Sequence, residues 1–164
     1  MRTLPLRATS IPAVQRSHEL AVLSREHHVA LELALRLQRA GNSDAEVIRQ
    51  ATLDFWSEEG REHFHIEEEY LLPALVRRAG SDDADVVRVL GEHADIGRRV
   101  ADLQAEAPVD RAALNTLGER LRDHVRYEER SLFGRIEDTL SSEELRSLGA
   151  SLRAAGEHRR PPRV

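Results

Sequence analysis

Four histidines stand out in the 164-residue chain because of the company they keep. His63 and His124 each have a carboxylate four residues on, Glu67 and Glu128, within a shared H-x-x-x-E-E-x-x-L pattern that ends in a further apolar residue. His27 and His93 each follow a glutamate and precede a ladder of apolar residues, Ala30, Ala34 and Leu37 in one case and Ile96, Val100 and Leu103 in the other. On a helix, positions i and i+4 lie about 40° apart around the axis and one turn apart along it, so each His–Glu pair can aim an imidazole and a carboxylate into one small volume. Imidazole and carboxylate together form a nitrogen and oxygen ligand set for a first-row metal. Two such pairs can serve two ions in the core of a helical bundle. With no cysteine in the chain, thiolate zinc sites, iron–sulfur clusters, disulfides and cysteine nucleophiles are all excluded.

His27 recurs as His93, 66 residues on, and His63 recurs as His124, 61 residues on, so the chain carries a weak duplication of a two-helix unit. A lone histidine on an apolar face is more often a hydrogen-bonded core side chain than a ligand, and a single H-x-x-x-E is commonly a surface pair. Four histidines on four helices, two of them with a carboxylate one turn away, do not fit that bland reading, because each unpaired buried His or Glu would cost several kcal/mol. His27 falls near the middle of the apolar side of its helix and His28 at the edge, so His27 is the expected inward member. His18, His65 and His158 match no template and are expected to face solvent. Glu68 and Glu129 are expected to face outward or to bond to the ligands from behind, and Phe55, Trp56 and Phe64 to be packing residues.

Positioning these side chains falls to helices. The chain is 4% aromatic and 32% charged, and it is rich in Ala, Leu, Arg and Glu, residues that lose little rotamer freedom in a helix, so the expected fold class is all-α. Ser17 is placed to cap a helix from His18 to Ala40, stopped at Gly41 by a left-handed turn. Ser43 and Glu46 form a capping-box pattern for a second helix, about Asp44 to Ala79, closed by Gly80 and with Gly60 and Pro73 as kink points. Ser81, Asp82 and Asp83 open a third, to about Glu106, with Pro108 beyond its end. A fourth runs from about Asp110 to Leu140, and Ser141 with Glu144 repeats the capping box for a short fifth, to about Ala155, ahead of a basic tail. Short connections between four long helices make antiparallel neighbours, hence an up-down-up-down four-helix bundle with a short fifth helix at the C-terminus. Residues 1–16 then form an N-terminal extension, 17–140 the bundle, and 141–164 the C-terminal helix and tail. At 1.5 Å per residue, Glu67 comes level with His93 and His93 with His124, whereas the first connection leaves an excess of about 9 Å, so residues 44–50 should overhang or bend across the bundle end.

The mass of 18.5 kDa is enough for one domain with a sizeable core. A formal net charge of −5 and the absence of any basic stripe argue against nucleic acid as a partner. No stretch approaches the roughly 18 apolar residues of a membrane span, and Met1 to Ala13 lack a hydrophobic signal core, so a cytoplasmic protein with no membrane partner is expected. No nucleophile constellation, phosphate loop or dinucleotide fingerprint competes with the metal reading.

Together, Glu26-His27, His63-Phe64-x-x-Glu67-Glu68, Glu92-His93 and His124-x-x-x-Glu128-Glu129 resemble the hemerythrin-like, HHE cation-binding family over about residues 17–140. The resemblance implies a four-helix bundle around a non-heme di-iron centre, with His27, His63, His93 and His124 as terminal ligands and Glu67 and Glu128 as bridges. Two iron ions are the implied cofactor, and other divalent metals are possible substitutes. The chain departs from the oxygen carriers of that family. Their third helix supplies two histidines one turn apart, where Val89 and Gly97 flank His93 here, and their fourth supplies an aspartate five residues after the histidine, where Glu128 stands at four. One ligand is therefore absent or replaced by water, hydroxide or a tyrosine such as Tyr70 or Tyr127. The implied function is a di-iron protein that binds, senses or reacts with O2, H2O2 or NO. The alternatives are a catalase-like or peroxidase-like enzyme removing hydrogen peroxide, and a metal store. A small-molecule ligand is the implied partner, and the chain is expected as a monomer or homodimer.

Overall fold

The computed structural model describes residues 17–105 and 110–158, and every regular element among them is helical. α1 (Ala21–Gln38) is followed by one unbroken helical rod, 45–79, in which α2 (Ala45–Phe55), α3 (Arg61–Ile66) and α4 (Leu72–Ala79) alternate with π-turns at Trp56–Gly60 and Glu67–Leu71. α5 (Ala84–Ala105) comes next. α6 (Arg111–Tyr127) then passes through a third π-turn, Glu128–Leu132, into α7 (Phe133–Thr139), and α8 (Ser142–His158) ends the described chain. The helices pack as a bundle, with α1 along α6 and α6 along α5. α1 and α6 approach closely at Gly118, where a Cβ would lie 2.7 Å from Leu37 Cβ and 2.8 Å from the Ala34 carbonyl oxygen.

Several helix ends differ from the sequence reading. Ser17 caps nothing: its N–H donates to Glu137 across the bundle (2.8 Å), and the helix starts only at Ala21, after a turn at 18–20. Gly41 is not left-handed; its N–H donates to Asp44 (2.7 Å), a local turn that ends α1 without a positive φ. That bond also occupies the Asp44 side chain, and the Ser43–Glu46 capping box does not form. Gly80 does close α4 in the left-handed region, at φ 97°. The cap of α5 is Asp83 rather than Ser81, its carboxylate accepting from the N–H groups of Asp85 and Val86 (3.0 and 3.4 Å). Asp110 caps α6 through Ala112 N–H (2.9 Å), and the Ser141–Glu144 box forms as read, with bonds of 2.9 and 3.3 Å. α8 runs to His158, past the expected end at Ala155. Pro108, the N-terminal extension and the basic tail lie outside the described residues.

Both kink expectations in the 45–79 rod fall at π-turns. Gly60 closes the first, and Pro73, which lacks the N–H that the carbonyl of Glu69 would take in an α-helix, follows the second. Near the start of this rod Arg49 reaches the end of α5, its Nε donating to the Leu103 carbonyl (2.6 Å), and α2 packs on α1, α5 and α6.

The buried apolar residues form two clusters. One contains Leu20, Leu23, Ile66, Leu71, Leu75, Leu132, Phe133 and Ile136, and α8 covers it with Leu148 and Leu152. The other contains Ala34, Leu37, Phe64, Ile96, Leu114, Leu117 and Val125, and α2 adds Ala45 and Ile48. Each large side chain withdrawn from water contributes about 1.5–3 kcal/mol.

Candidate metal centre

Between the two apolar clusters lies a band of buried polar groups. α1 supplies His27, α3 His63, α5 His93 and α6 His124, while Glu67 and Glu128 are the first residues of two π-turns that the internal repeat places at equivalent positions. All six residues are buried, the two glutamates completely. His27 stacks on Phe133 of one cluster (5.4 Å, 15°) and His93 on Phe64 of the other (3.8 Å, 8°).

The atoms converge at one scale. His27 Nε2 is 3.1 Å from His63 Nε2, 3.8 Å from Glu67 Oε1 and 3.2 Å from Glu128 Oε2. His63 Nε2 is 3.3 Å from Glu67 Oε1, and His93 Nε2 is 3.3 Å from Glu67 Oε2 and 3.9 Å from Glu128 Oε1. His124 Nε2 is 3.3 Å from Glu128 Oε2. Ligand atoms on one ion with bonds of about 2.1 Å lie about 3 Å apart when adjacent and about 4.2 Å apart when opposite, and every one of these distances falls in that range. Two four-residue groups result, His27, His63, Glu67 and Glu128, and Glu67, His93, His124 and Glu128, each with its ligand atoms within 4.8 Å of one another. The two groups share both glutamates.

Both oxygens of Glu67, both oxygens of Glu128, and Nε2 of His93 and of His124 are buried without a hydrogen-bond partner. Buried polar atoms left this way are costly unless something charged completes them. The residues therefore fit a cation, or a pair of cations, at this place. Electrostatics agrees. Burial alone would push the His63 imidazole down, but Glu67 and Glu26 outweigh it and hold its pKa at about 9. His27 and His93 are likewise raised against burial, chiefly by Glu128, Glu129 and Glu67 for the first and by Glu67 for the second. Burial would raise Glu67, yet His63, His27 and His93 hold it well below the usual carboxylate range. The pocket draws positive charge, which protons supply when no metal is present.

Every imidazole is held from behind. His27 Nδ1 bonds to Glu129 (2.8 Å), His63 Nδ1 to Glu26 (2.7 Å), His93 Nδ1 to Glu68 (2.8 Å) and His124 Nδ1 to Glu92 (2.9 Å). Glu68 and Glu129 thus take the role behind the ligands that the sequence left open for them. Glu26 and Glu92 have the same role, which sequence reasoning missed although both stand in the repeated Glu-His doublet. The π-turns were missed as well; Pro73 signals one of them, and no residue type signals the one at Glu128.

The remaining residues separate cleanly. His28 is exposed and its ring bonds to the Ser24 carbonyl (2.7 Å), which leaves His27 as the inward member of the pair. His65 pairs with Glu69 at the surface (3.2 Å) and His18 is exposed, while the side chain of His158 lies outside the described residues. Neither tyrosine completes the cluster. The Tyr127 hydroxyl donates to Asp85 under the Arg88 guanidinium, burial and Asp85 pushing its pKa up to about 12, and the Tyr70 hydroxyl is raised chiefly by the neighbouring Glu69.

A cavity of about 30 Å³ adjoins His27 and His63. Its walls are largely apolar, among them Ala30, Leu33, Ile96, Val100 and Val125, and Phe55, Trp56 and Glu59 also line it. A single water needs about 10–15 Å³, so the space holds a molecule of two or three atoms.

Among known families, the one described as "Hemerythrin HHE cation binding domain" matches residues 18–136. No curated protein and no solved structure matches the chain significantly. With most of its length inside that family match, the chain belongs to the hemerythrin HHE cation-binding domain family.

Proposed function

We propose that this hemerythrin HHE protein holds two iron ions, His27 and His63 serving one and His93 and His124 the other, with Glu67 and Glu128 shared between them. The observation that carries the proposal is the pair of overlapping ligand groups with both glutamates in common. In this reading residues 17–140 are the functional unit, an up-down-up-down four-helix bundle, and 141–164 an accessory helix and tail. Iron at these positions would supply one-electron redox chemistry and a Lewis-acidic place for a small ligand.

The chain's own residues define what that ligand can be. The cavity beside His27 and His63 admits only a small molecule, and its apolar walls favour O2 or NO over hydrogen peroxide, which would lose hydrogen bonds to water on entering. The packed Leu, Ile, Val and Phe side chains on either side keep bulk water from the ions. A metal store would need more acidic ligands than the two overlapping groups found among the described residues. The function proposed is therefore reversible binding of, or redox reaction with, O2 or NO, in a cytoplasmic setting. No helix among the described residues is long and apolar enough to cross a membrane.

The test is the metal content and optical spectrum of protein produced with iron, before and after dithionite, followed by O2, NO and peroxide in turn. About two irons per chain, with charge-transfer bands that bleach on reduction and return with O2, is the expected result. Rapid O2 evolution from peroxide would move the reading to an enzyme that removes peroxide. Colourless zinc or no metal would overturn it.

A further inference from the structure

The four carboxylates behind the histidines are arranged in a way that no single bond reveals. Glu26 stands beside His27 on α1 but bonds to His63 of α3 (2.7 Å). Glu68 stands beside Glu67 but bonds to His93 of α5 (2.8 Å). Glu92 stands beside His93 but bonds to His124 of α6 (2.9 Å), and Glu129 stands beside Glu128 but bonds back to His27 of α1 (2.8 Å). Each helical rod thus gives a histidine to the centre and a carboxylate to the next rod's histidine, and the fourth link closes on the first. The four side chains are partly exposed, from 27% for Glu26 to 42% for Glu68, so nothing in the apolar core requires them there.

Chemistry gives each link a direction. A carboxylate accepts and does not donate, so each of these Nδ1 atoms carries a proton, and Nε2, facing Glu67 and Glu128, is the nitrogen whose lone pair a metal would take in place of a second proton. Ligand histidines held this way are fixed in tautomer and ring angle and become better donors. Two of the links, Glu68 to His93 and Glu129 to His27, run between the two proposed metal positions; the other two stay within one position.

We propose that Glu26, Glu68, Glu92 and Glu129 form a closed ring of positioning carboxylates that sets all four imidazoles for metal and couples the two metal positions through the bundle rather than through the ions alone. The proposal rests on the metal reading above, and its test is chosen to separate the two. Because adjacent helices are tied pairwise around the circle, the ring holds the rods in register at the level of the site. It also places four anionic groups behind the imidazoles, where they favour the more positively charged state of a bound redox metal. Arg88 tempers one of them, its Nε bonding to Glu92 at 2.7 Å.

The experiment uses the full chain loaded with zinc, which is diamagnetic and needs no activity assay. Competition with a chromophoric chelator measures zinc affinity, and long-range 1H–15N correlation spectra of the histidines report which ring nitrogen carries the proton. The expected spectrum of the wild type shows four imidazoles protonated at Nδ1 and metal-bound at Nε2. Glu68→Ala should cost about 10–100-fold in zinc affinity and perturb His93, on the neighbouring rod. Glu68→Gln, whose side-chain oxygen still accepts from Nδ1–H, should keep the tautomer and most of the affinity. Glu129→Ala should act in the same way on His27. In iron-loaded protein Glu68→Gln should raise the midpoint potential, because a negative charge behind the metal is lost, and a merely structural carboxylate would not do this. Alanine variants that fold and bind zinc as tightly as the wild type would overturn the ring while leaving the metal reading intact. A wild type that binds no zinc and no iron would overturn both.

Discussion

The two halves of the centre descend from one repeated pattern, yet their surroundings differ. Phe64, directly after His63, stacks on His93 at 3.8 Å and meets His124 edge-on at 5.1 Å. The residue directly after His124 is Val125, and it lines the cavity beside His27 and His63. Phe64 covers His93 and forms part of the wall of that same cavity, while Val125 at the equivalent repeat position leaves His27 and His63 facing the space, with Phe133 stacked on His27 instead. In the metal reading proposed above, the apolar packing around near-identical ligands puts the cavity beside the His27 and His63 position and sets Phe64 between that cavity and His93.

The outer corner of the second half carries a further difference. Asp83 and Asp85 bond to Arg135, and Tyr127 donates to Asp85. The repeat counterparts of Tyr127 and Arg135 are Ile66 and Ala74, so the first half has no such corner.

The largest effect is expected from what the two halves share. Glu67→Ala should abolish binding at both positions, whereas His63→Ala or His124→Ala should each cost one ion; metal analysis by mass spectrometry distinguishes about zero from about one per chain. The single-ion variants sharpen the comparison. His124→Ala retains the position beside the cavity and should still bind azide, read from its charge-transfer band, whereas His63→Ala retains the position covered by Phe64 and should not. Next comes the packing itself. Val125→Phe should fill the cavity and slow NO binding in stopped-flow measurements by about tenfold or more, with metal content unchanged and stability altered by about 1–3 kcal/mol at most. Phe64→Val, in the wall between this cavity and His93, should enlarge the cavity and speed NO binding.

The smallest effect is expected at the corner. The Arg135 guanidinium holds Asp83 below the usual carboxylate range, and Asp85 is also lowered, its burial outweighed by Tyr127 and Arg135. Lowered carboxylate pKa values contribute stability that is present above the unfolded value, about 4, and is lost as pH falls below it. Arg135→Ala should therefore lower Tm near neutral pH, and the gap from the wild type should narrow towards pH 3 in thermal melts.

Much of this was legible in the residues. Helical periodicity put His27 on the apolar side of its helix, the repeated apolar ladder put His93 in the same setting, and the i to i+4 spacing put Glu67 and Glu128 beside His63 and His124. Spacing along one helix says nothing about which neighbour a side chain meets, and so the exchange of carboxylates between rods was invisible, although Glu26 and Glu92 stand next to histidines. The π-turns were hidden because rewinding by one residue alters the hydrogen-bond pattern and leaves composition untouched. The cap expected of Ser17 does not form: the helix starts only at Ala21, and the Ser17 N–H is held by Glu137, 120 residues away, a tertiary contact that local patterns cannot register. The cavity is walled by Phe64 and Val125 together with residues of all four helical rods, and in sequence these two read only as interchangeable apolar residues.

The most direct test of two inequivalent ions at shared carboxylates is Mössbauer spectroscopy of the 57Fe-loaded protein with and without azide. The account predicts two iron signals of equal area, of which azide displaces only one. A single iron signal, or two that azide displaces together, would contradict it.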